Sequence, residues 1–153
     1  AARTPDHGKL EPWRFIVLKQ AALRRLGVLA RNLAEAAGPE VVDADKASQQ
    51  FETGQLAVVV VASPKPCDKF PQIEQTYSAG AVCLSLLNAA LASGWGANWL
   101  SGWASHNREF CTEGLALAPH EHVAGIVHIG TGPAQMPDRP RPDVAAITQW
   151  IHE

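Results

Sequence analysis

The chain is short of cysteine, of excess charge and of long apolar runs, and each shortage removes a class of protein. Cys67, Cys83 and Cys111 are the whole complement of cysteine in 153 residues. Their odd number, wide spacing and lack of a Cys-x-x-Cys pair argue against a disulfide framework or a structural zinc site and fit a reducing, cytoplasmic setting. Lys and Arg number 13 against 15 Asp and Glu, for a net charge of −2. Without a basic field to gather phosphate backbones, nucleic acid is not an expected partner. The longest apolar run, Leu56 to Ala62, is too short to cross a bilayer as a helix.

Between Thr76 and Ser105 there is no Asp, Glu, Lys or Arg. Gly80, Asn88, Ser93, Gly94, Gly96 and Asn98 interrupt that stretch, so it reads as a buried helix running into a strand rather than a membrane segment. No signal peptide is visible, and a membrane partner is not expected. Length and an apolar content of 46% suit one domain over residues 1–153.

Pro and Gly divide the chain into elements of mixed type. Ala1 to Thr4 reads as the tail of a helix, stopped ahead of Pro5 and Gly8. Trp13 to Lys19 is aromatic and β-branched, a strand. Ala21 to Ala37 carries Leu23, Leu26, Leu29 and Leu33 at helical spacing and ends at Gly38 and Pro39. Glu40 to Phe51 reads as a second surface helix. Leu56 to Ala62 is apolar on both faces and is expected to be a central strand covered by helices above and below.

Gln72 to Ala92 reads as a long helix whose second half is apolar nearly all round. A chain this small has few elements to cover it, which points to a second copy. Trp95 to Leu100 and Val123 to Ile129 read as strands, with a helix around Arg108 to Leu117 between them. A Pro-rich arm follows Thr131 and ends in Val144 to Ile151.

Three segments carry candidate chemistry. Arg3-Thr4-Pro5-Asp6-His7-Gly8 before Pro12-Trp13-Arg14-Phe15 is a polar turn ahead of a strand. Gly94-Trp95-Gly96-Ala97-Asn98-Trp99-Leu100-Ser101-Gly102-Trp103 is a strand between small residues, where glycine marks close approach by a ligand or another backbone. Its tryptophans fit core packing and a cofactor wall equally. It is not a dinucleotide fingerprint, because that pattern must open a helix. Gly130-Thr131-Gly132-Pro133 leads to Arg139 and Arg141, whose guanidinium groups suit phosphate oxygens. His120-Glu121-His122 lacks a third ligand nearby and reads as an exposed turn, not a metal site. Cys67 and Cys111 have no assigned base, and no nucleophile elbow, phosphate-cradling loop or His-Glu-x-x-His helix is present.

Taken in order, these segments resemble the nitroreductase superfamily, in particular its small FMN-dependent NAD(P)H nitroreductases. The resemblance is carried by Ala2 to Gly8 with Pro12 to Phe15, by Glu74-Gln75 with Ser78-Ala79-Gly80, by Gly94-Trp95-Gly96 with Trp99 to Gly102, and by Gly125-Ile126 with Ile129-Gly130-Thr131. It implies an α+β sandwich with a mixed or antiparallel central sheet flanked by helices, an interlocked homodimer, and FMN held between subunits. Arg3 and His7 match flavin-contacting positions. Trp99, Leu100 and Ser101 match the strand end along the flavin ring, and Ala90 to Trp95 a stretch associated with the nicotinamide nucleotide. Backbone N–H groups of Ser101 and Gly102 are expected to orient flavin N5, with no catalytic side-chain nucleophile. Family members carry, ahead of the position that matches Ala1, an Arg-Arg-Ser run that contacts the FMN phosphate, and the resemblance implies that Arg139 and Arg141 contribute to that phosphate site from the carboxyl-terminal arm.

The implied activity is transfer of electrons from NADH or NADPH through FMN to a small-molecule acceptor, a nitro compound or quinone, by a ping-pong route. The alternative is a non-catalytic flavin-binding or sequestering protein of the same fold.

Overall fold

The computed structural model describes residues 1–6, 8–132, 138 and 140–152. Four strands form one sheet: β1 (Trp13–Lys19), β2 (Leu56–Ala62), β3 (Gly96–Leu100) and β4 (His122–Gly130), in the order β1-β2-β4-β3. Every pairing among them is antiparallel, with Trp13 opposite Ala62, Leu56 opposite Ile129 and Leu100 opposite Ile126. β2 therefore has a strand on each side, as its two-faced apolar sequence requires: Val59, Val60 and Val61 are all fully buried.

Three helices make up most of the helical structure: α1 (Gln20–Ala37), α2 (Ala44–Glu52) and α3 (Gln72–Ala92). The first two cover one face of the sheet. There Leu23, Leu26, Phe51, Val59, Val61, Phe110 and Ile126 pack into the main core. Asp43 starts α2 by accepting hydrogen bonds from the Asp45 and Lys46 N–H groups at 2.9 and 3.1 Å, which satisfies donors that the helix itself leaves free. Arg31 clasps α1 to α2 through Asp45 at 2.6 Å, Ser48 at 2.9 Å and Glu52 at 2.9 Å.

α3 covers the opposite face, where Val60, Val82 and Cys83 form a smaller core with Trp13, Leu86 and Ala124. The other side of α3 is bare. Ile73, Tyr77, Leu84 and Leu91 are all exposed, Tyr77 at 68% and Leu84 at 50%, and their spacings of four and seven place them in one seam along the helix.

Three sequence expectations need correction. Ala1 to Thr4 is a single turn, with the Thr4 N–H bonded to the Ala1 carbonyl at 2.9 Å, rather than a helix tail. The helix expected around Arg108 to Leu117 is present, but it widens into an underwound π-type turn over Phe110–Gly114 and is preceded by a separate short helix, α4 (Trp103–His106). Glu121 is not on an exposed turn: it is 7% exposed and paired with Arg14. Charge pairing hid it, since a carboxylate reads as surface in sequence until its partner is known. Among the described residues no helix is long and apolar enough to cross a membrane.

Candidate functional site

The turn from Ala1 to Pro5 is fastened to α3 by serines. Ser78 donates to the Pro5 carbonyl at 2.8 Å and accepts from the Trp13 indole N–H at 3.2 Å. One flank further along the helix, the Thr4 and Ser85 hydroxyls lie 3.2 Å apart. Serines seven residues apart lie on one side of a helix, so the turn bearing Arg3 is held against that side while Arg3 itself stays exposed. Sequence reading had Ser78 among its markers but gave it no role, and Ser85 carried no signal. His7 lies outside the described residues.

Trp99, Leu100, Ser101 and Gly102 end β3 at the same end of the sheet as Trp13, because Leu100 pairs with Ile126 and Trp13 with Ala62. Trp99 and Leu100 point to opposite faces, as strand alternation demands. Leu100 faces the α2 side and lines a cavity there with Gln50 and His128. Trp99 lies on the α3 side and is 38% exposed. Ser101 is exposed. Gly102 has φ of 150°, a conformation that side-chain-bearing residues rarely adopt, and so permits the sharp passage from β3 into α4. Of the three tryptophans, Trp95 and Trp99 are open to solvent and Trp103 packs against the core.

These two halves belong to opposite edges of the sheet. β1 and β3 are about 14 Å apart at ordinary strand spacing, and the loop ahead of β1 is bound to α3. Arg141 is exposed and pairs with Asp138 at 3.2 Å. Arg139 lies outside the described residues.

Two cavities of about 630 Å³ open at the other end of the sheet. One, between α3 and the sheet, is lined by Leu86, Ala90, Ser93, Trp95 and Ile129, which includes much of the Ala90 to Trp95 stretch. The other is the α2-side cavity, where Gln50 Oε1 and His128 Nε2 are buried without a hydrogen-bond partner. Burial lowers the His128 pKa from its ordinary value, so the ring is neutral at pH 7. A histidine in the apolar run of β4 was the sequence signal for it, and went unused.

The two buried thiols, Cys83 and Cys111, are poor nucleophiles. Burial raises Cys83 to about 11 and pushes Cys111 in the same direction, which keeps both protonated. Cys111 donates weakly to the Ser105 carbonyl, at 3.5 Å. Among the described residues no group of three His, Cys, Asp or Glu is placed to hold a metal.

The Nitroreductase family model matches residues 1–131 of the chain. The chain belongs to the nitroreductase family. It is 31% identical over 129 residues to the "Putative NAD(P)H nitroreductase YdjA" of Escherichia coli, covering 84% of this chain and 70% of that protein. Among solved structures it superposes on a nitroreductase-like family protein from Bacillus cereus with a TM-score of 0.74 at 22% identity, over 97% of this chain and 78% of that one. A "putative nitroreductase in complex with fmn" from Desulfovibrio desulfuricans gives a TM-score of 0.70 at 20% identity, over 96% of this chain and 76% of that one. The α+β architecture expected from the sequence is thus that of the family, and its relatives place the chain among oxidoreductases.

Proposed function

We propose that this chain is an FMN-dependent oxidoreductase that uses NADH or NADPH to reduce nitro compounds or quinone-like acceptors, and that it works as a homodimer. The observation that carries the reading is the bare outer seam of α3, Ile73, Tyr77, Leu84 and Leu91, in a protomer whose strands beside the Arg3 loop and beside Trp99 are opposite edges of the sheet. A two-fold axis through that seam carries one copy's loop toward its partner's strand end, and self-complementary contact of this kind is the usual way a homodimer closes. Family membership supplies the chemistry and the seam supplies the reason for pairing.

The residues present suit a flavin. Trp99 leaves 38% of its surface exposed, aromatic area suited to contact with a planar ring. Gly102 keeps the backbone beyond it free of a side chain, which suits the proposed role of the Ser101 and Gly102 N–H groups in orienting the ring near N5. Arg3 and His7 stabilise negative charge at the pyrimidine edge. Leu100 supports the strand from beneath, while Arg139 and Arg141 hold the phosphate, Arg141 by exchanging Asp138 for it. Bound FMN supplies the two-electron chemistry, and the protein binds, orients and excludes water. Three free thiols suit a reducing compartment such as the cytoplasm.

The test begins with the absorbance spectrum of the purified protein near the flavin bands. Anaerobic NADH or NADPH bleaches the bound flavin, and a nitroaromatic or quinone restores it. Because donor and acceptor share one open face, double-reciprocal plots are parallel. Intersecting lines rule out the alternating route, tight flavin binding without bleaching supports a sequestering protein instead, and failure to take up FMN ends the flavin reading.

A further inference from the structure

β4 contributes a gap rather than a side chain to the Trp99 wall. Trp99 sits opposite Val127 in the register, and Gly125 is two residues along β4 on the same face. Such diagonal neighbours across a strand pair are within reach of an aromatic side chain. A Cβ placed on Gly125 meets the Trp99 indole at 1.9 Å from Nε1, 2.6 Å from Cδ1 and 2.9 Å from Cε2. No real Cβ tolerates such distances. The atoms it meets belong to the ring itself rather than to a flexible tip, so the indole cannot yield without turning about its own χ angles. Gly125 is buried, while Trp99 remains 38% exposed: the indole lies across the bare backbone of β4 with its remaining surface open.

We infer that Gly125 is a positioning residue, the seat that holds the Trp99 indole against the sheet as the floor on which the flavin ring stacks. The inference rests on the flavin reading of Trp99 and adds that a neighbouring strand fixes the orientation of the floor. Any side chain at position 125 lifts the indole into the space that the planar ligand occupies. The effect on the ligand passes entirely through Trp99, which distinguishes a seat from a residue that merely stabilises β4.

Three variants test this: Gly125→Ala, Trp99→Ala and the double variant, each titrated with FMN while bound-flavin emission, which a stacked indole quenches, is followed, together with thermal unfolding without ligand. Gly125→Ala weakens FMN binding roughly three- to tenfold, the size of one aromatic contact, and raises the emission of bound flavin. The double variant binds FMN no more weakly than Trp99→Ala alone. Unchanged affinity and emission in a folded Gly125→Ala protein overturn the inference while leaving the flavin function standing. So does a double variant weaker than Trp99→Ala. Should Gly125→Ala fail to fold, the double variant, relieved of the clash, decides alone by the same comparison. A wild-type protein that binds no FMN overturns both this inference and the proposed function.

Discussion

Arg14 and Glu121 are joined by two parallel hydrogen bonds of 2.7 Å each, from Nε to Oε1 and from Nη2 to Oε2. The pair ties the start of β1 to the loop that enters β4, two strands away, and the carboxylate also accepts from the Ala118 N–H at 3.0 Å. Arg108 closes the same loop by donating to the Glu121 and Leu117 carbonyls. One charge-assisted fork thus fixes the end of the sheet where the candidate site lies.

This fork makes the protein acid-sensitive in a defined window. The Arg14 guanidinium holds the Glu121 carboxyl down from its ordinary value near 4.5 to about 2. Because the folded value is depressed, its stabilisation is fully present above about pH 4.5 and is lost as pH falls towards 2. Thermal midpoints measured across that range fall less steeply in Glu121→Gln than in the wild type; equal slopes assign the acid sensitivity to other groups. At neutral pH Glu121→Ala, which strands the Ala118 N–H, costs about 1–3 kcal/mol.

Phe51 on α2 stacks against Phe110 at a centroid distance of 5.2 Å, and both are fully buried. Phe51→Ala opens a cavity between α2 and the π-type turn and costs about 3–5 kcal/mol. Urea unfolding is the measurement, and a loss under about 1 kcal/mol contradicts this account of the core.

Gly96 starts β3 where the chain beyond β4 passes very close. A Cβ there stands 2.6 Å from both N and Cα of Gly132, backbone atoms that a rotamer change cannot move. Gly96→Ala displaces the Gly132 segment or frays β3, at about 1–3 kcal/mol. Hydrogen exchange localises the effect to the β3 and β4 amides; uniform exchange across the sheet argues against it.

Leu84 is half exposed in the centre of the bare seam of α3. Leu84→Glu leaves the protomer folded, since the side chain has no place in its core, but places like charges face to face in a pair of copies. Sedimentation then shows a monomer, with bound flavin lost along with the pairing. A dimer that persists in Leu84→Glu puts the interface elsewhere.

Local pattern alone determined most of the elements. The valine run of β2 carries its central position in its own composition, because a strand covered on both faces has no polar side to show. The spacing of Leu23, Leu26 and Leu33 gave α1, and the charge-free length of α3 gave both the helix and its unfilled face. The segments resembling the family also named Arg3, Trp99, Ser101 and Gly102. Tertiary structure decided what those residues have near them. Strand order set the Arg3 loop and Trp99 on opposite edges, Ser78 and Ser85 chose the side of α3 to which the loop is bound, Arg14 drew Glu121 inward, and Gly125 made room for an indole on a neighbouring strand. Each of these depends on contacts between residues far apart in the chain, where periodicity and propensity carry no information about which surfaces meet.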